Sequence, residues 1–307
     1  MSPKSLSTSA RTAFLSLPDP VQARLRHRLG RYAPWEDGRP PTAPSCPAGM
    51  TTGPPDFVGV GVPKAGTTWW FSLVLAHPDA TGPERKELLF FNRTFFERER
   101  RMAVTDAELE AYHRFFPRPA GAKTGEWTPS YLFSYRLPPL LQRAAPNCKI
   151  LILLRDPVER YKSDISRPMP RRRLRNVRYR GLARGFYSAE LRPWEDAFRA
   201  EDLLVLQYEA CTADPAGELA ATYRFLGLDD SFVPEQLRSA VNKTVTKRTV
   251  TVGFERLLVE LYEPDVVALN ARYPQIDLGR WPNFAYLAPP RGGDQSDGGG
   301  PTSVPAR

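Results

Sequence analysis

The chain has 307 residues, 41% of them apolar, enough for one large α/β domain with a substantial core. Its net charge of +9 suits an anionic ligand, but the excess is mostly arginine and accompanies 32 prolines, the composition of a GC-rich bacterial genome, so basicity alone does not indicate a nucleic-acid partner. Cys46, Cys148 and Cys211 are scattered, without a Cys-x-x-Cys pair, which argues against a disulfide framework or structural zinc site; no apolar run approaches the ~18 residues of a membrane span, so a soluble, cytoplasmic protein is expected.

In chain order, residues 1–52 read as a Pro-rich arm with one short helix over Pro20 to Tyr32. The main domain is expected over residues 53–287. Its first strand is Phe57 to Val62, followed by a Gly/Pro turn and a helix over Thr67 to His77. Further helices are expected at Asp106 to Phe116, Val158 to Ile165, Ser188 to Ala200, Ala216 to Leu226 and Phe254 to Arg272. Lys149 to Leu154 and Leu203 to Gln207 are the other candidate strands, and their near-continuous apolar character suits parallel strands buried on both faces. Strands alternating with helices imply a three-layer α/β domain around a central parallel sheet. Phe225-Leu226-Gly227-Leu228 reads as a helix end with a glycine cap. Residues 288–307 have the composition of a disordered tail.

The turn after the first strand carries the strongest chemical signal. A strand feeding a glycine turn at a helix N-terminus converges backbone N–H groups and the positive helix end on one spot, which suits a phosphate. Gly61-x-x-x-x-Gly66-Thr67-Thr68 nearly copies the ATP-binding pattern, but Thr67 stands where that pattern has lysine. The lysine here is Lys64, inside the turn, where it meets a 5′ phosphate and its leaving oxygen rather than a terminal γ-phosphate. Lys86-Glu87, ahead of Leu88-Leu89-Phe90-Phe91, reads by itself as a solvated edge. Arg155 follows the strand Lys149 to Leu154, at the carboxyl end where parallel sheets bind ligands, and its planar fork suits a phosphate. Ser163 lies about two helical turns further on and can reach the same group.

The segment PKAGTTW, with Lys64, Ala65, Gly66, Thr67, Thr68 and Trp69, resembles the 5′-phosphosulfate loop of sulfotransferases that use adenosine 3′-phosphate 5′-phosphosulfate (PAPS). The resemblance covers about Phe57 to Trp281 and implies a P-loop NTPase-like fold with PAPS as co-substrate; no catalytic metal is expected, since the leaving phosphate is already well stabilised and the chain shows no carboxylate cluster for magnesium. It casts Arg155 and Ser163 as holders of the 3′-phosphate. Lys86-Glu87 resembles the heparan-type branch, in which this glutamate is the general base. The loop itself looks more like the cytosolic branch, whose base is a histidine, and His77 and His113 are the alternatives there. Glu126, within Gly125 to Tyr131, belongs to a segment expected to line the cleft; Gly185-Phe186-Tyr187 offers Tyr187 to the nucleotide, although both segments also read as core packing. Lys247, Arg248 and Thr249 are placed by resemblance in a flap over the 3′-phosphate, without the family's usual glycine between the basic residues.

The acceptor implied is a hydroxyl on a sugar, glycolipid or other small molecule. Arg167 to Arg184 holds eight arginines; it reads as solvated surface or as a loop attracting an anionic acceptor. Two other readings start from the same residues. A P-loop ATP-dependent kinase lacks the lysine at position 67 and an evident magnesium-binding aspartate. A nucleic-acid-binding protein rests on the arginine run, which has one aromatic, Tyr179, and no recognisable reading motif.

Overall fold

The structure, a computed structural model, describes residues 43–84, 86–91, 105–166, 178–238 and 250–289. Strands β1 (Thr51–Thr52) and β4 (Pro117–Arg118) form a small antiparallel ribbon outside the main sheet. The main sheet is five-stranded and parallel, ordered β3-β5-β2-β6-β7, from β2 (Phe57–Gly61), β3 (Ala80–Thr81), β5 (Lys123–Trp127), β6 (Lys149–Leu154) and β7 (Leu203–Gln207). From β2 the chain moves to one side for β3 and β5, then crosses to the other side for β6 and β7. The turns after β2 and β6 therefore open side by side at the point where strand order reverses, the crevice in which open α/β sheets bind ligands.

The α-helices that flank this sheet include α1 (Thr67–Val74), α2 (Asp106–His113), α3 (Leu137–Ala144), α4 (Pro157–Ile165), α5 (Tyr187–Ala197), α6 (Tyr208–Ala213), α7 (Pro215–Leu226) and α8 (Val252–Arg272). Helix α1 packs against α7, while α8 packs against α4 and α5. Trp70 Nε1 donates to Thr222 Oγ1 at 3.3 Å, and Tyr223 Oη donates to the Leu73 carbonyl at 2.7 Å, tying α1 to α7. The three-layer α/β architecture expected from the sequence is the one observed. Among the described residues no helix is long and apolar enough to cross a membrane.

Two of the three expected strands match residue for residue, and the third ends one residue early, at Gly61. Phe57, Val58, Val60 and Ile150 to Leu154 are fully buried, at roughly 1.5–3 kcal/mol per large side chain. Strand β5 was not expected as a strand: Gly125 to Tyr131 enters the sheet first and reaches the site only beyond Trp127. Its pairing with β2 requires Gly59, since a Cβ there would fall inside the Trp127 indole. Helices α1 and α2 end three residues earlier than expected. Their last turns tighten to i→i+3 bonds, from Ala76 and His77 in one and Phe115 and Phe116 in the other.

Candidate active site

The phosphate loop runs from Val62 to Gly66 and is fixed at both ends. Val62 N donates to the Leu153 carbonyl of β6 at 3.0 Å, and Trp69 N and Trp70 N close the first turn of α1 on the Gly66 carbonyl. Lys64 (φ +76°) and Gly66 (φ +87°) both take left-handed backbone, which turns the chain within so few residues. A Cβ at Gly66 would stand 2.8 Å from the Tyr208 ring, so the turn demands glycine twice over. The first turn of α1 contains no acidic side chain, leaving the positive helix end open to an anion. Thr67 is buried; Thr68 is exposed.

Lys86 reaches this loop, with Glu87 beside it. Lys86 Nζ donates to Thr67 Oγ1 at 3.3 Å and lies 3.4 Å from Glu87 Oε1. Burial lowers the Lys86 pKa, opposed by the negative fields of Glu87 and Glu126. The Glu87 carboxylate is 47% exposed, on a residue with left-handed φ of +66°. Lys86 was read only as the companion of Glu87; its contact with the loop was not foreseen.

Arg155 joins the loop from the other strand. Its Nη1 donates to the Lys64 carbonyl at 3.2 Å, its guanidinium stacks 5.0 Å from the Tyr208 ring centroid, and Glu159 Oε2 lies 3.9 Å from Nη2. Ser163 is half-buried on the face of α4 that also carries Glu159. Beneath them, Asp156 caps α4 through Val158 N and Glu159 N, while its other oxygen holds Asn283. Glu209 accepts from Asp156 N at 3.1 Å and Trp281 Nε1 at 2.9 Å; burial pushes its carboxyl up to about 7. Tyr208 and Glu209 follow β7 directly. Their place at a strand's carboxyl end was the signal that could have marked them.

Tyr187 requires a correction. It is fully buried and its hydroxyl donates to the Arg155 carbonyl at 2.8 Å, so its ring packs in the core and its polar end holds the Arg155 backbone rather than an open cleft. His77 uses both ring nitrogens within the fold, accepting from Asp79 N and bonding the Asp229 carbonyl at 3.2 Å. His113 Nε2 bonds the Ala144 carbonyl at 2.6 Å. Trp69 is edge-on to Trp70 and Tyr208, and its buried Nε1 has no hydrogen-bond partner. Lys247, Arg248 and Thr249, and residues 167–177 of the arginine run, lie outside the described residues.

The loop, Lys86-Glu87 and Arg155 thus converge at the carboxyl end of the two neighbouring strands β2 and β6, and residues 54–252 match the model of the sulfotransferase domain. The chain belongs to the sulfotransferase domain family. Heparan sulfate glucosamine 3-O-sulfotransferase 3B1 of Mus musculus is 28% identical over 193 residues, 57% of this chain and 46% of the relative. Heparan sulfate glucosamine 3-O-sulfotransferase 6 of Homo sapiens is 30% identical over 211 residues, 61% of this chain and 57% of the relative. The chain spans about half the length of the curated relatives it matches. The crystal structure of a sulfotransferase from Alicyclobacillus acidocaldarius superposes with a TM-score of 0.57 at 26% identity, covering 71% of this chain and 94% of that one. Within the sulfotransferase domain, the matched stretch contains the loop, Lys86-Glu87, Arg155 and Ser163.

Proposed function

We propose that the protein transfers a sulfuryl group from PAPS to a hydroxyl acceptor, with Glu87 as general base. The observation that supports this reading is the junction of three separate segments at one loop: Lys86 on Thr67 and Arg155 on the Lys64 carbonyl. The residues fit such a donor. Arg155 Nε and Trp69 Nε1 are buried without a hydrogen-bond partner, and the open end of α1 carries no carboxylate. Lys64 and the N–H groups of Gly66, Thr67 and Thr68 would hold the 5′ end, and Arg155 with Ser163 the 3′-phosphate.

Glu87 takes the acceptor proton as the acceptor oxygen bonds to sulfur. The bond from sulfur to the bridging phosphate oxygen breaks, and Lys64 and Lys86 stabilise the charge that collects there. The products are a sulfate ester and adenosine 3′,5′-bisphosphate. The acceptor proposed is a small-molecule or glycolipid hydroxyl, on a sugar by analogy with relatives named for heparan sulfate glucosamine.

Thermal shift with adenosine 3′,5′-bisphosphate and AMP tests the donor. At about a hundred times Kd the bisphosphate is expected to add ~2.7 kcal/mol, roughly 5–10 °C in Tm, with AMP giving a small fraction of that. Arg155→Ala is expected to erase the difference. Equal shifts with both nucleotides on the wild type would remove Arg155 and Ser163 from the 3′ site and with them the case for PAPS.

A further inference from the structure

Glu126 sits under the Lys86-Glu87 segment with no solvent exposure. Its Oε1 accepts from Tyr112 Oη at 2.7 Å and Tyr131 Oη at 3.2 Å and its Oε2 from Thr128 Oγ1 at 2.6 Å, while the nearby Leu88 N–H favours its charged form. Thr128 Oγ1 in turn accepts from Leu89 N at 3.3 Å, and Tyr131 Oη from Phe91 N at 3.4 Å. Two amides that follow Glu87, those of Leu89 and Phe91, therefore end through one hydroxyl each on a single carboxylate. The direction of these bonds is fixed by chemistry. A hydroxyl that accepts from an amide can give its own proton only to the carboxylate, which is acceptor-only when ionised.

This cluster holds a backbone that would not hold itself. Glu87 and Leu89 have φ of +66° and +56°, a conformation costing on the order of 1 kcal/mol or more at a non-glycine residue unless its surroundings impose it. Leu88 and Phe91, buried between and after them, are the apolar anchors. The amides of Leu89 and Phe91 supply the polar ones.

We propose that Glu126, acting through Thr128 and Tyr131, is the positioning residue that sets the Glu87 to Phe91 backbone and so aims the Glu87 carboxylate and the Lys86 ammonium at the phosphate loop. This rests on the reading of Glu87 as general base. It adds that a second, buried glutamate governs the geometry of the first without touching either substrate. Catalysis is sensitive to such aim, since a misplacement of about 1 Å can cost on the order of a hundredfold.

The test compares Thr128→Val, which keeps the shape and removes the hydroxyl, with Thr128→Ser, which restores it, and Glu126→Gln, which replaces one acceptor oxygen by a donor. Glu87→Gln serves as the reference. Assays at pH 8 keep Glu126 ionised, since burial pushes its carboxyl up to about 7. The readouts are sulfate release from radiolabelled PAPS with water as acceptor, affinity for adenosine 3′,5′-bisphosphate, and deuterium exchange of the peptide spanning residues 86–91. Thr128→Val is expected to exchange about five- to tenfold faster in that peptide and to lose ~10–100-fold in turnover, with nucleotide affinity within about threefold. Thr128→Ser is expected to recover both, and Glu126→Gln to show the larger loss.

If Glu87→Gln abolishes turnover while Thr128→Val matches the wild type in exchange and rate, the positioning role is overturned and the base reading stands. If Thr128→Val loses nucleotide binding and thermal stability together with turnover, and serine does not restore them, the cluster is part of the fold alone and the inference fails. If Glu87→Gln is as active as the wild type, the base reading itself fails, and fast exchange in Thr128→Val then shows only that the segment is held.

Discussion

Replacing Glu126 by glutamine is expected to change how stability depends on pH, and the size of the change follows from where the carboxyl sits. It is fully buried, and burial pushes it from an ordinary 4.5 up to about 7 although four donors pull the other way. Such a rise corresponds to ~3 kcal/mol. The sign is opposite to that of a salt-bridged carboxylate. Between pH 4.5 and 7 the folded chain keeps this proton while the unfolded chain releases it, so the stability associated with Glu126 is greatest below 4.5 and falls as pH rises through 7. Glu209, also raised to about 7 by burial, contributes in the same direction, so the measurement must be a difference. Urea unfolding of the wild type and Glu126→Gln from pH 4.5 to 8.5 isolates the group, because glutamine does not titrate and Glu209 is common to both. Wild-type stability minus variant stability is expected to drop by ~3 kcal/mol across that range. A flat difference would mean that the four donors offset burial completely, and a rising one that they outweigh it; either result refutes the reasoning.

Lys64→Ala is expected to lower kcat by roughly 10²-fold or more with a much smaller loss in nucleotide affinity, because charge on the bridging oxygen grows mainly in the transition state; steady-state kinetics against calorimetry checks it, and an unchanged kcat would reduce Lys64 to a binding role. Gly66→Ala combines a left-handed φ of +87° with a Cβ 2.8 Å from Tyr208, so a destabilisation of about 2–4 kcal/mol is expected in urea, partly relieved by Tyr208→Ala in the same chain. His77→Ala and His113→Ala are expected to stay within a few fold of wild-type turnover per folded molecule, since both imidazoles bond within the fold. Loss of all turnover in a stably folded histidine variant would move the general base away from Glu87.

Strands β2, β6 and β7 were legible because burial on both faces leaves a near-continuous apolar run. Strand β5 was not, and the reason is chemical: Thr124 and Glu126 are fully buried polar residues in a Lys-Thr-Gly-Glu-Trp stretch that alternation rules read as a loop. Of the partners that make Glu126 tolerable, Thr128 and Tyr131 follow it in the same segment, but Tyr112 comes from α2, and spacing alone does not show that their hydroxyls turn back onto the carboxylate. Helix α3 escaped notice because Pro138 and Pro139 look like breakers, yet they occupy the first turn, where a missing N–H costs nothing. At the site, Lys64, Gly66, Glu87 and Arg155 could be read from spacing and resemblance. Tyr208 depended on a close approach across the sheet, and Tyr187 turned inward because its hydroxyl found the Arg155 carbonyl. Sequence spacing places residues along the chain; it does not say which way an aromatic ring faces.

The contact between Arg155 and the Lys64 carbonyl bears on the thermodynamics of recognition. A free arginine side chain carries about 2 kcal/mol of rotamer entropy, normally lost when an anion immobilises it. Here the guanidinium is already clamped between a loop carbonyl and the Tyr208 face. In the proposed function, a phosphate arriving at Arg155 would meet a fork whose freedom was surrendered during folding, so the free energy of its charge-assisted bonds would appear almost undiminished as affinity. The same clamp means that a displacement of the Arg155 guanidinium is felt at the carbonyl of Lys64. Under the proposed reading, the two ends of the nucleotide site would share one piece of rigid scaffolding.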